Sequence, residues 1–269
     1  MSDTSAKDIW RWEAGRAPAQ ARDLLASEEP LEIRVDGRPV SVTMRTPGRD
    51  DELAVGFLLS EGLIVHRDQV RGVEPLTPRA DCNLVNVTLA AGVRVSFEQL
   101  TRHVFASSSC GLCGKTTIDA VHRQFPPVAA DVRIAAATLL GLPERLQLAQ
   151  PAFDSTGGLH AAAVFDLAGE PVAVREDVGR HNAVDKVLGH GLLSGLLPFD
   201  RHVLLVSGRA SFEILQKALA ARIPIIAAVS APSTLAVEFA EQSRQTLVGF
   251  LRGRRMNVYA GRERIEFNW

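Results

Sequence analysis

The chain has 269 residues, of which 46% are hydrophobic and 23% charged, a globular composition with enough length for one large domain or two modest ones. The formal net charge of −1 argues against indiscriminate binding to nucleic acid or to anionic membranes, and no apolar run approaches membrane-spanning length. Residues 1–30 lack the apolar core of an export signal, and three cysteines suit a reducing compartment, so we expect a cytoplasmic protein.

The first part of the chain predicts a polar tail followed by a hairpin. Residues 1–27 are expected to form a tail or a loosely attached helix, with Trp10 and Trp12 docked on the body of the protein. Alternating apolar residues at 31–35 and 40–44 flank an Asp-Gly turn, which is typical of a β-hairpin.

A small α+β module is predicted over residues 28–106. Residues 52–61 have the apolar spacing of a helix, and Gly62 is a typical helix stop. Two further alternating runs, 83–89 and 93–97, predict strands that complete the module.

The remaining residues, 107–269, predict an α/β domain. After a mixed, proline-broken stretch, strands alternate with helices: strands 161–165 and 171–174, helix 178–188, strand 203–206, helix 211–221, strand 225–229, helix 233–242 and strand 247–251. Because several of these strands are apolar without interruption, we expect a sheet covered by helices on at least one face.

The most informative motif is a pair of cysteines, Cys110 and Cys113, in the Ser- and Gly-rich stretch 107–115. A thiolate is the nucleophile of sulfur chemistry, and an ordinary thiol is mostly protonated at neutral pH. Lys115 and the N-terminus of a helix that runs to Gln124 would both favour the thiolate. The motif therefore predicts a reactive thiol.

The cysteine pair also fits half of a zinc site, a redox dithiol or two buried small residues. A structural zinc site normally has a second ligand pair at matching spacing, and this chain offers only isolated candidates, which are Cys82, His103 and His160. Burial is disfavoured because the cysteines stand among glycines and serines. We therefore expect no bound metal ion.

A charged run extends over residues 175–186. Asp177, His181 and Asp185 are four residues apart and would share one face of a helix, where carboxylates orient an imidazole for proton transfer. The alternative is an ordinary solvated helix face with surface ion pairs. Since the run follows a strand and contains Gly179, its position favours a site.

Two serine-containing turns each follow an apolar strand and precede a helix. An arginine and hydroxyl groups beside a helix N-terminus can bind an anion, although helix capping is the default role of such residues. Because both turns open at the same edge of the predicted sheet, we interpret them together as a ligand site. Their residues are Ser207, Gly208, Arg209, Ala210 and Ser211, and Ser230, Ala231, Pro232, Ser233 and Thr234.

Glu213 and Lys217, in the helix after the first turn, are interpreted as a surface pair. A third candidate segment lies near the C-terminus, where three arginines surround one glycine. Guanidinium groups bind phosphate or pyrophosphate bidentately, and a hairpin turn with solvated arginines is the alternative. The segment is Phe250, Leu251, Arg252, Gly253, Arg254 and Arg255.

Together these segments resemble the FdhD family, the formate dehydrogenase accessory sulfurtransferases. The resemblance runs in order over residues 31–260, and residues 1–27 and 122–150 match least, so nothing functional is assigned to them. The matching stretches are 46–58, 107–115, 156–162, 175–186, 207–217, 230–232 and 249–259.

The resemblance implies a fold and an activity. The fold implied is a cytidine-deaminase-like α/β domain with a smaller α+β module. The activity implied is the transfer of sulfane sulfur from a cysteine desulfurase to the molybdenum bis-guanine-dinucleotide cofactor, which formate dehydrogenase needs. The chain lacks the HxE motif of zinc deaminases, and Ser109 rather than proline precedes Cys110, so deaminase chemistry is not expected.

The resemblance also implies roles for particular residues. Cys110 corresponds to the persulfide-carrying cysteine and Cys113 to its partner, and residues 250–255 correspond to the cofactor-binding segment. We hypothesise that the two serine turns help to hold the cofactor, which a guanine nucleotide would mimic, and that His160 and His181 contact the cofactor and handle protons.

Two rival functions explain part of these features. A thiol–disulfide oxidoreductase would use Cys110 and Cys113 but leave the arginine segment without a role. A non-catalytic chaperone of the molybdenum cofactor would use the arginine segment but not the thiols. A site at a sheet edge also favours a homodimer.

Overall fold

The computed structural model describes residues 3–79, 82–93 and 114–267 of the chain. Cys110, Cys113, His103 and most of the strand predicted at 93–97 lie outside the described residues. The described residues form a mixed α/β fold, as predicted. Among them, no helix has the length and apolar character that crossing a membrane would need.

The strands, in chain order, are β1 (Thr4–Arg11), β2 (Ala19–Ala26), β3 (Glu29–Val35), β4 (Arg38–Arg45), β5 (Val70–Arg79), β6 (Cys82–Leu89), β7 (Ile134–Ala135), β8 (His160–Asp166), β9 (Pro171–Asp177), β10 (His202–Val206), β11 (Ile225–Ala228), β12 (Thr246–Arg252), β13 (Arg255–Ala260) and β14 (Ile265–Glu266). The described α-helices are α1 (Asp50–Ser60), α2 (Gly114–Gln124), α3 (Ala136–Leu148), α4 (Pro151–Thr156), α5 (Arg180–Leu193), α6 (Phe212–Ala220) and α7 (Thr234–Gln242). Short 3₁₀ helices occupy Arg67–Gln69 and Arg262–Arg264.

The N-terminal segment corrects the prediction of a tail or a loose helix. Its strands β1 and β2 pair antiparallel as a two-stranded hairpin, from the pair of Thr4 and Ala26 to the pair of Arg11 and Ala19. Trp10 and Trp12 are 70% and 66% exposed, so they do not dock on the body as predicted. Their spacing of two residues was the available signal, because side chains two apart share one face of a strand.

The small module is built on a four-stranded sheet in the order β4-β3-β6-β5. The predicted hairpin of β3 and β4 is confirmed, and its turn uses left-handed backbone at Asp36 (φ 48°) and Gly37 (φ 77°). The helix and the strand predicted at 52–61 and 83–89 are confirmed as α1 and β6. Strand β5 was missed because Gly72 and Pro75 lower its strand propensity, which an edge position tolerates.

The large sheet has six strands in the order β13-β12-β11-β10-β8-β9. Strands β10, β11 and β12 run parallel, and the other pairs are antiparallel. Alternate residues of β10 face opposite cores: Leu204 packs with α1, α5, α6 and α7, whereas Leu205 packs with the leucines of α3. Helices therefore cover both faces, and the predicted alternation of strands and helices is confirmed.

The two predicted modules share a core. Helix α1 crosses α5 where two glycines let the backbones touch: a Cβ on Gly56 would lie 1.8 Å from the carbonyl oxygen of Asp185, and one on Gly189 would lie 1.8 Å from that of Glu52. Apolar side chains from both sides of this crossing form one cluster. The division at residues 106 and 107 stays a prediction about chain organisation.

Candidate functional site

A cavity of about 790 Å³ opens where the three parallel strands end. Its lining includes Ser207 just after β10, Val229 just after β11, and Arg252 and Gly253 at the end of β12. His160, the first residue of β8, also lines it. Sites in open α/β sheets form at this edge because the connections splay apart there. The structure thus brings together residues from three of the segments singled out in the sequence.

The first serine turn is held by backbone pairing. The Ser207 amide donates to the carbonyl of Ala161 at 2.9 Å, and the Ala161 amide donates to Ser207 Oγ at 2.9 Å. Gly208 lies beside the imidazole ring, since a Cβ built on it would stand 3.4 Å from His160 Nδ1, an ordinary contact distance. Arg209 is exposed and does not line the cavity.

The second serine turn is hydrogen-bonded to the first through the backbone, which confirms that both open at the same edge of the large sheet. The Ala210 amide donates to Ala231 at 3.2 Å, and the Ser233 amide donates to Ala210 at 3.0 Å, beside a bridge to Pro232. Ser233 accepts from Ala236 at 3.3 Å and so caps α7, the default role of such a residue. Ser230, Ala231 and Pro232 do not line the cavity with Arg252.

The arginine segment forms a hairpin turn between β12 and β13. Arg252 pairs with Arg255 across the turn, and the bulge before it places Phe250 in left-handed backbone at φ 51°. The Phe250 amide donates to Ser230 at 3.0 Å, and the Arg252 guanidinium lies 5.7 Å from the Phe250 ring centroid. The turn is thereby tied to the second serine turn.

The six residues of the arginine segment have different environments. Arg252 and Gly253 line the cavity, whereas Arg254 and Arg255 are exposed outside it. The Leu251 side chain is fully buried in the core beneath the sheet, because side chains alternate between the faces of a strand. Leu251 as a whole is buried and does not line the cavity.

His160 is half-buried beside the cavity. Burial, followed by the positive charges of Arg180 and His181, lowers its pKa below the usual 6.5, and Asp177 only partly opposes this. The ring is therefore neutral at pH 7 and can accept or donate one hydrogen bond. Arg180 was not singled out alone in the sequence, and its buried Nε has no partner among the described residues.

Of the three residues predicted to share a helix face, His181 and Asp185 lie on α5 and line one cavity, whereas Asp177 lies outside the helix. Asp177 is the last residue of β9, because the helix begins only at Arg180 after the extended Gly179. The Asp177 carboxylate is fully buried and lies 2.7 Å from Lys186 Nζ. It also accepts the amide of Gly179 at 2.8 Å, so its role is to hold the strand-to-helix junction.

Lys217 corrects the prediction of a surface pair. Its ammonium group lies 2.8 Å from Asp185 and donates to Ser60 at 2.9 Å in the interior between α1, α5 and α6. The short spacing to Glu213 misled the sequence interpretation, since spacing alone does not reveal which helix face is covered.

His181 lies apart from the arginine cavity. Its Nε2 is 2.8 Å from Glu213 and 3.3 Å from Ser211 Oγ, and the hydrogen bond from His181 lowers the pKa of Glu213. His181 lines a second cavity of about 320 Å³ between β4, α5 and α6, which Asn182 also lines. The contact predicted between His181 and the cofactor stays a prediction, because His181 does not line the cavity that Arg252 lines.

The stretch 46–58 supplies a buried acid. Glu52 accepts a bidentate hydrogen bond from Arg175 at 2.5 and 2.6 Å and lies 3.1 Å from His190 Nδ1. Burial would raise its pKa, but the Arg175 and His190 interactions outweigh burial and lower it. This cluster joins α1, β9 and α5.

Sequence reasoning missed one wall of the arginine cavity. That wall comes from the end of the segment 122–150, to which no function was assigned, and from Phe153 just after it; its residues recur every third position: Glu144, Gln147, Gln150 and Phe153. The regular spacing was the signal available in the sequence.

The chain was then compared with known proteins. The sequence profile of the FdhD/NarQ family matches residues 26–266. The chain is 54% identical over 251 residues to the sulfur carrier protein FdhD of Streptomyces avermitilis, covering 90% of this chain and 89% of that protein. It is 51% identical over 275 residues to the sulfur carrier protein FdhD of Mycolicibacterium paratuberculosis, covering 98% and 100%.

The fold is also similar to a solved structure. The crystal structure of a candidate formate dehydrogenase accessory protein from Desulfotalea psychrophila superimposes with a TM-score of 0.78 at 26% identity, covering 98% of this chain and 100% of that one. Because the profile spans most of the sequence and the relatives are about half identical over nearly their whole length, this chain belongs to the FdhD/NarQ family.

Proposed function

We propose that the chain is a sulfur carrier that serves formate dehydrogenase. The similar proteins named sulfur carriers, and the formate dehydrogenase accessory protein whose fold it shares, support this proposal. We propose further that it is a sulfurtransferase, accepting persulfide sulfur on Cys110 and passing it to the molybdenum bis-guanine-dinucleotide cofactor, its substrate.

The loading step is a thiol exchange. The Cys110 thiolate attacks the outer sulfur of a cysteine desulfurase persulfide and forms a new S–S bond. The donor's S–S bond breaks, and the desulfurase cysteine leaves as a thiolate. No external oxidant or reductant is consumed. Helix α2 begins at Gly114, directly after Cys113 in the sequence, and its N-terminal dipole favours a nearby thiolate.

Two release routes are open to Cys113. In one, its thiolate attacks Cys110 Sγ, forming a disulfide and expelling hydrosulfide that becomes the sulfido ligand, and a cellular thiol later reduces the disulfide. In the other, Cys113 carries a second persulfide in parallel, and a cellular thiol attacks the inner sulfur of each persulfide, forming a mixed disulfide and expelling hydrosulfide.

The substrate-binding part of the proposal depends on one observation: Arg252, Ser207 and His160 line the same cavity of about 790 Å³. Cavities of this volume accommodate nucleotide-sized ligands. A guanidinium beside hydroxyl and amide donors is suited to phosphate oxygens. Contacts from Arg254, Arg255 and the second serine turn stay predictions.

Intact mass after loading tests the transfer. The protein is incubated with a cysteine desulfurase and cysteine without reductant, and we expect a gain of one sulfur atom that Cys110→Ala abolishes. Cys82→Ala is the matched control and should load normally. A Cys110–Cys113 disulfide without added sulfur would instead indicate a thiol–disulfide oxidoreductase.

Activity in cells separates carrier from chaperone. Formate dehydrogenase activity is measured in a strain whose own gene is replaced by the Cys110→Ala variant. Loss of activity is expected from a sulfur carrier, whereas full activity would favour a non-catalytic cofactor chaperone. The Cys110 thiol must also stay reduced to accept sulfur, which supports a cytoplasmic location.

We also propose a homodimer that covers the N-terminal hairpin. Trp10 and Leu24, 70% and 43% exposed, lie on one face of the hairpin with the cross-strand pair of Asp8 and Arg22 between them. A two-fold axis parallel to the strands would place Asp8 over the second copy's Arg22. Light scattering should show a dimer that Trp10→Ser weakens; a monomeric wild type would contradict the proposal.

A further inference from the structure

Strand β4 is an open edge of the small sheet. Among the described strands, the order β4-β3-β6-β5 leaves one side of β4 without a neighbour. The Asn182 side-chain amide closes one end of this side by donating to the Met44 carbonyl at 2.8 Å. The Met44 carbonyl therefore points away from β3, and the backbone of Val42, two residues earlier, points the same way. Within the described residues, Val42 makes no backbone hydrogen bond beyond the β3–β4 pairing.

Apolar side chains lie along this edge. Val42 is 62% exposed and Met44 is 47% exposed. Both lie on the outer face of the sheet, since Val42 pairs with Glu32, whereas Leu31 and Ile33 on either side of Glu32 are buried. Proteins usually avoid exposed apolar side chains on an edge strand, because such an edge pairs readily with another extended chain. The edge therefore has the features of a binding surface.

The second cavity, of about 320 Å³, lies beside this edge on the inner face of the sheet. Ser41 and Thr43, which alternate with Val42 along the strand, both line it. Leu53 and Phe57 of α1 add apolar surface, and α5 and α6 supply its polar lining. A side chain from a segment paired with β4 would thus reach the cavity.

The charges that line this cavity are mostly negative. Three carboxylates and one ammonium group line it, which belong to Glu61, Asp185, Glu213 and Lys217. Asp185 and Lys217 are buried and neutralise each other at 2.8 Å. The hydrogen bond from His181 lowers the pKa of Glu213, so this group is a carboxylate at neutral pH. Because Glu61 and Glu213 are partly exposed, the outer part of the cavity is acidic.

We propose that β4 and this cavity bind an extended segment of a partner protein in which a basic residue stands between two apolar residues. The segment pairs with the backbone beside Val42 and so adds a strand to the small sheet. Its apolar side chains cover Val42 and Met44, and the basic side chain between them points to the inner face. Its aliphatic stem lies against Phe57, and its charged head reaches Glu61 and Glu213. This binding is separate from the sulfur chemistry of the proposed function.

The acidic lining favours such a partner over a second copy of this chain. If two copies paired through β4, the side chains that alternate with Val42 would be those of Ser41 and Thr43. These hydroxyl groups carry no charge, so no cation would face Glu61 and Glu213. Charge complementarity therefore indicates a lysine or arginine side chain as the occupant.

A peptide titration tests the inference. The probe is acetyl-Thr-Val-Lys-Val-Thr-amide, added to the full ¹⁵N-labelled chain while backbone amide signals are followed by NMR. We expect the signals of residues 40–43 to shift. A peptide with norleucine in place of lysine should bind roughly tenfold more weakly, because partly exposed ion pairs each change affinity only severalfold. A peptide with glutamate should bind more weakly still, because its carboxylate would face Glu61 and Glu213.

Three variants sharpen the test. Glu213→Gln should weaken the lysine peptide roughly 3- to 10-fold and leave the norleucine peptide unchanged. Glu74→Gln is the matched control, since it alters an exposed carboxylate on β5 at the opposite edge of the same sheet, and should change neither affinity. Val42→Pro removes a backbone N–H at the edge, a position that tolerates proline, and should abolish binding of both peptides. Its thermal unfolding midpoint verifies the fold.

Several results would overturn the inference. If the lysine peptide at millimolar concentration shifts no signal of residues 40–43, the edge of β4 is not a binding surface. If the three peptides bind equally, or Glu74→Gln weakens the lysine peptide as much as Glu213→Gln does, the cavity does not select a basic side chain. If light scattering shows a dimer that Val42→Pro converts to a monomer, the occupant of the edge is a second copy of this chain.

Discussion

The ammonium nitrogen of Lys217 lies 2.9 and 2.8 Å from the two carboxylate oxygens of Asp185. Both residues are buried, and Ser60 completes the cluster by donating to Asp185 at 2.9 Å. The cluster joins a helix of the small module to two helices beneath the large sheet. An ion pair in such a place acts as a positional constraint more than as a source of stability.

Removing one partner of this pair should be far worse than removing both. Lys217→Met leaves the Asp185 carboxylate buried without its cation, and we expect the free energy of unfolding to fall by about 3–5 kcal/mol. Urea denaturation followed by circular dichroism measures it. The double variant Lys217→Met with Asp185→Leu should recover much of that loss. If the single and double variants lose the same free energy of unfolding, the unpaired Asp185 carboxylate is not the cause of the loss.

Glycine is required where α1 crosses α5. In Gly189→Ala the new Cβ would meet the Glu52 carbonyl at 1.8 Å, so the helices must separate, at a cost of about 1–3 kcal/mol or more. Gly141→Ala in α3 is the matched control, because nothing lies within 4 Å of its Cβ. That variant should be neutral or stabilising by about 0.5–1 kcal/mol. Thermal unfolding compares the two.

Glu52 should make folding stability sensitive to acid. Its folded pKa lies below the usual 4.5, so its contribution is present above about pH 4.5 and is lost as the pH falls through the lowered value. Glu52→Gln should therefore lower stability at pH 7 and flatten the loss on acidification. Unfolding midpoints between pH 7 and pH 3 measure this, with exposed Glu241→Gln as the control. An unchanged acid profile would show that the cluster does not matter.

The three arginines of the C-terminal turn should not be equivalent. Arg252→Ala should weaken GDP binding about tenfold or more, because this guanidinium lines the cavity. Arg254→Ala should have a smaller effect, since that side chain is exposed outside it. Calorimetric titration at fixed ionic strength measures both. Equal losses would indicate a general electrostatic attraction instead of a defined phosphate contact.

Local chemistry made much of this protein readable from its sequence. Alternating apolar residues predicted the hairpin at Asp36 and Gly37, and apolar strands between helices predicted the parallel strands with their serine turns. These patterns are visible because strand and helix periods depend on neighbours in the chain. The motif of Cys110 and Cys113 predicted sulfur chemistry because thiolates perform it.

Tertiary structure decided which polar residues meet. The sequence placed Lys217 on a surface and His181 with the cofactor segment, whereas the fold buries the first against Asp185 and directs the second to another cavity. It also brought Glu144 and Gln150, which carried no prediction, into the cavity that Arg252 lines. Spacing along a helix specifies which side chains share a face, but only packing determines what that face touches.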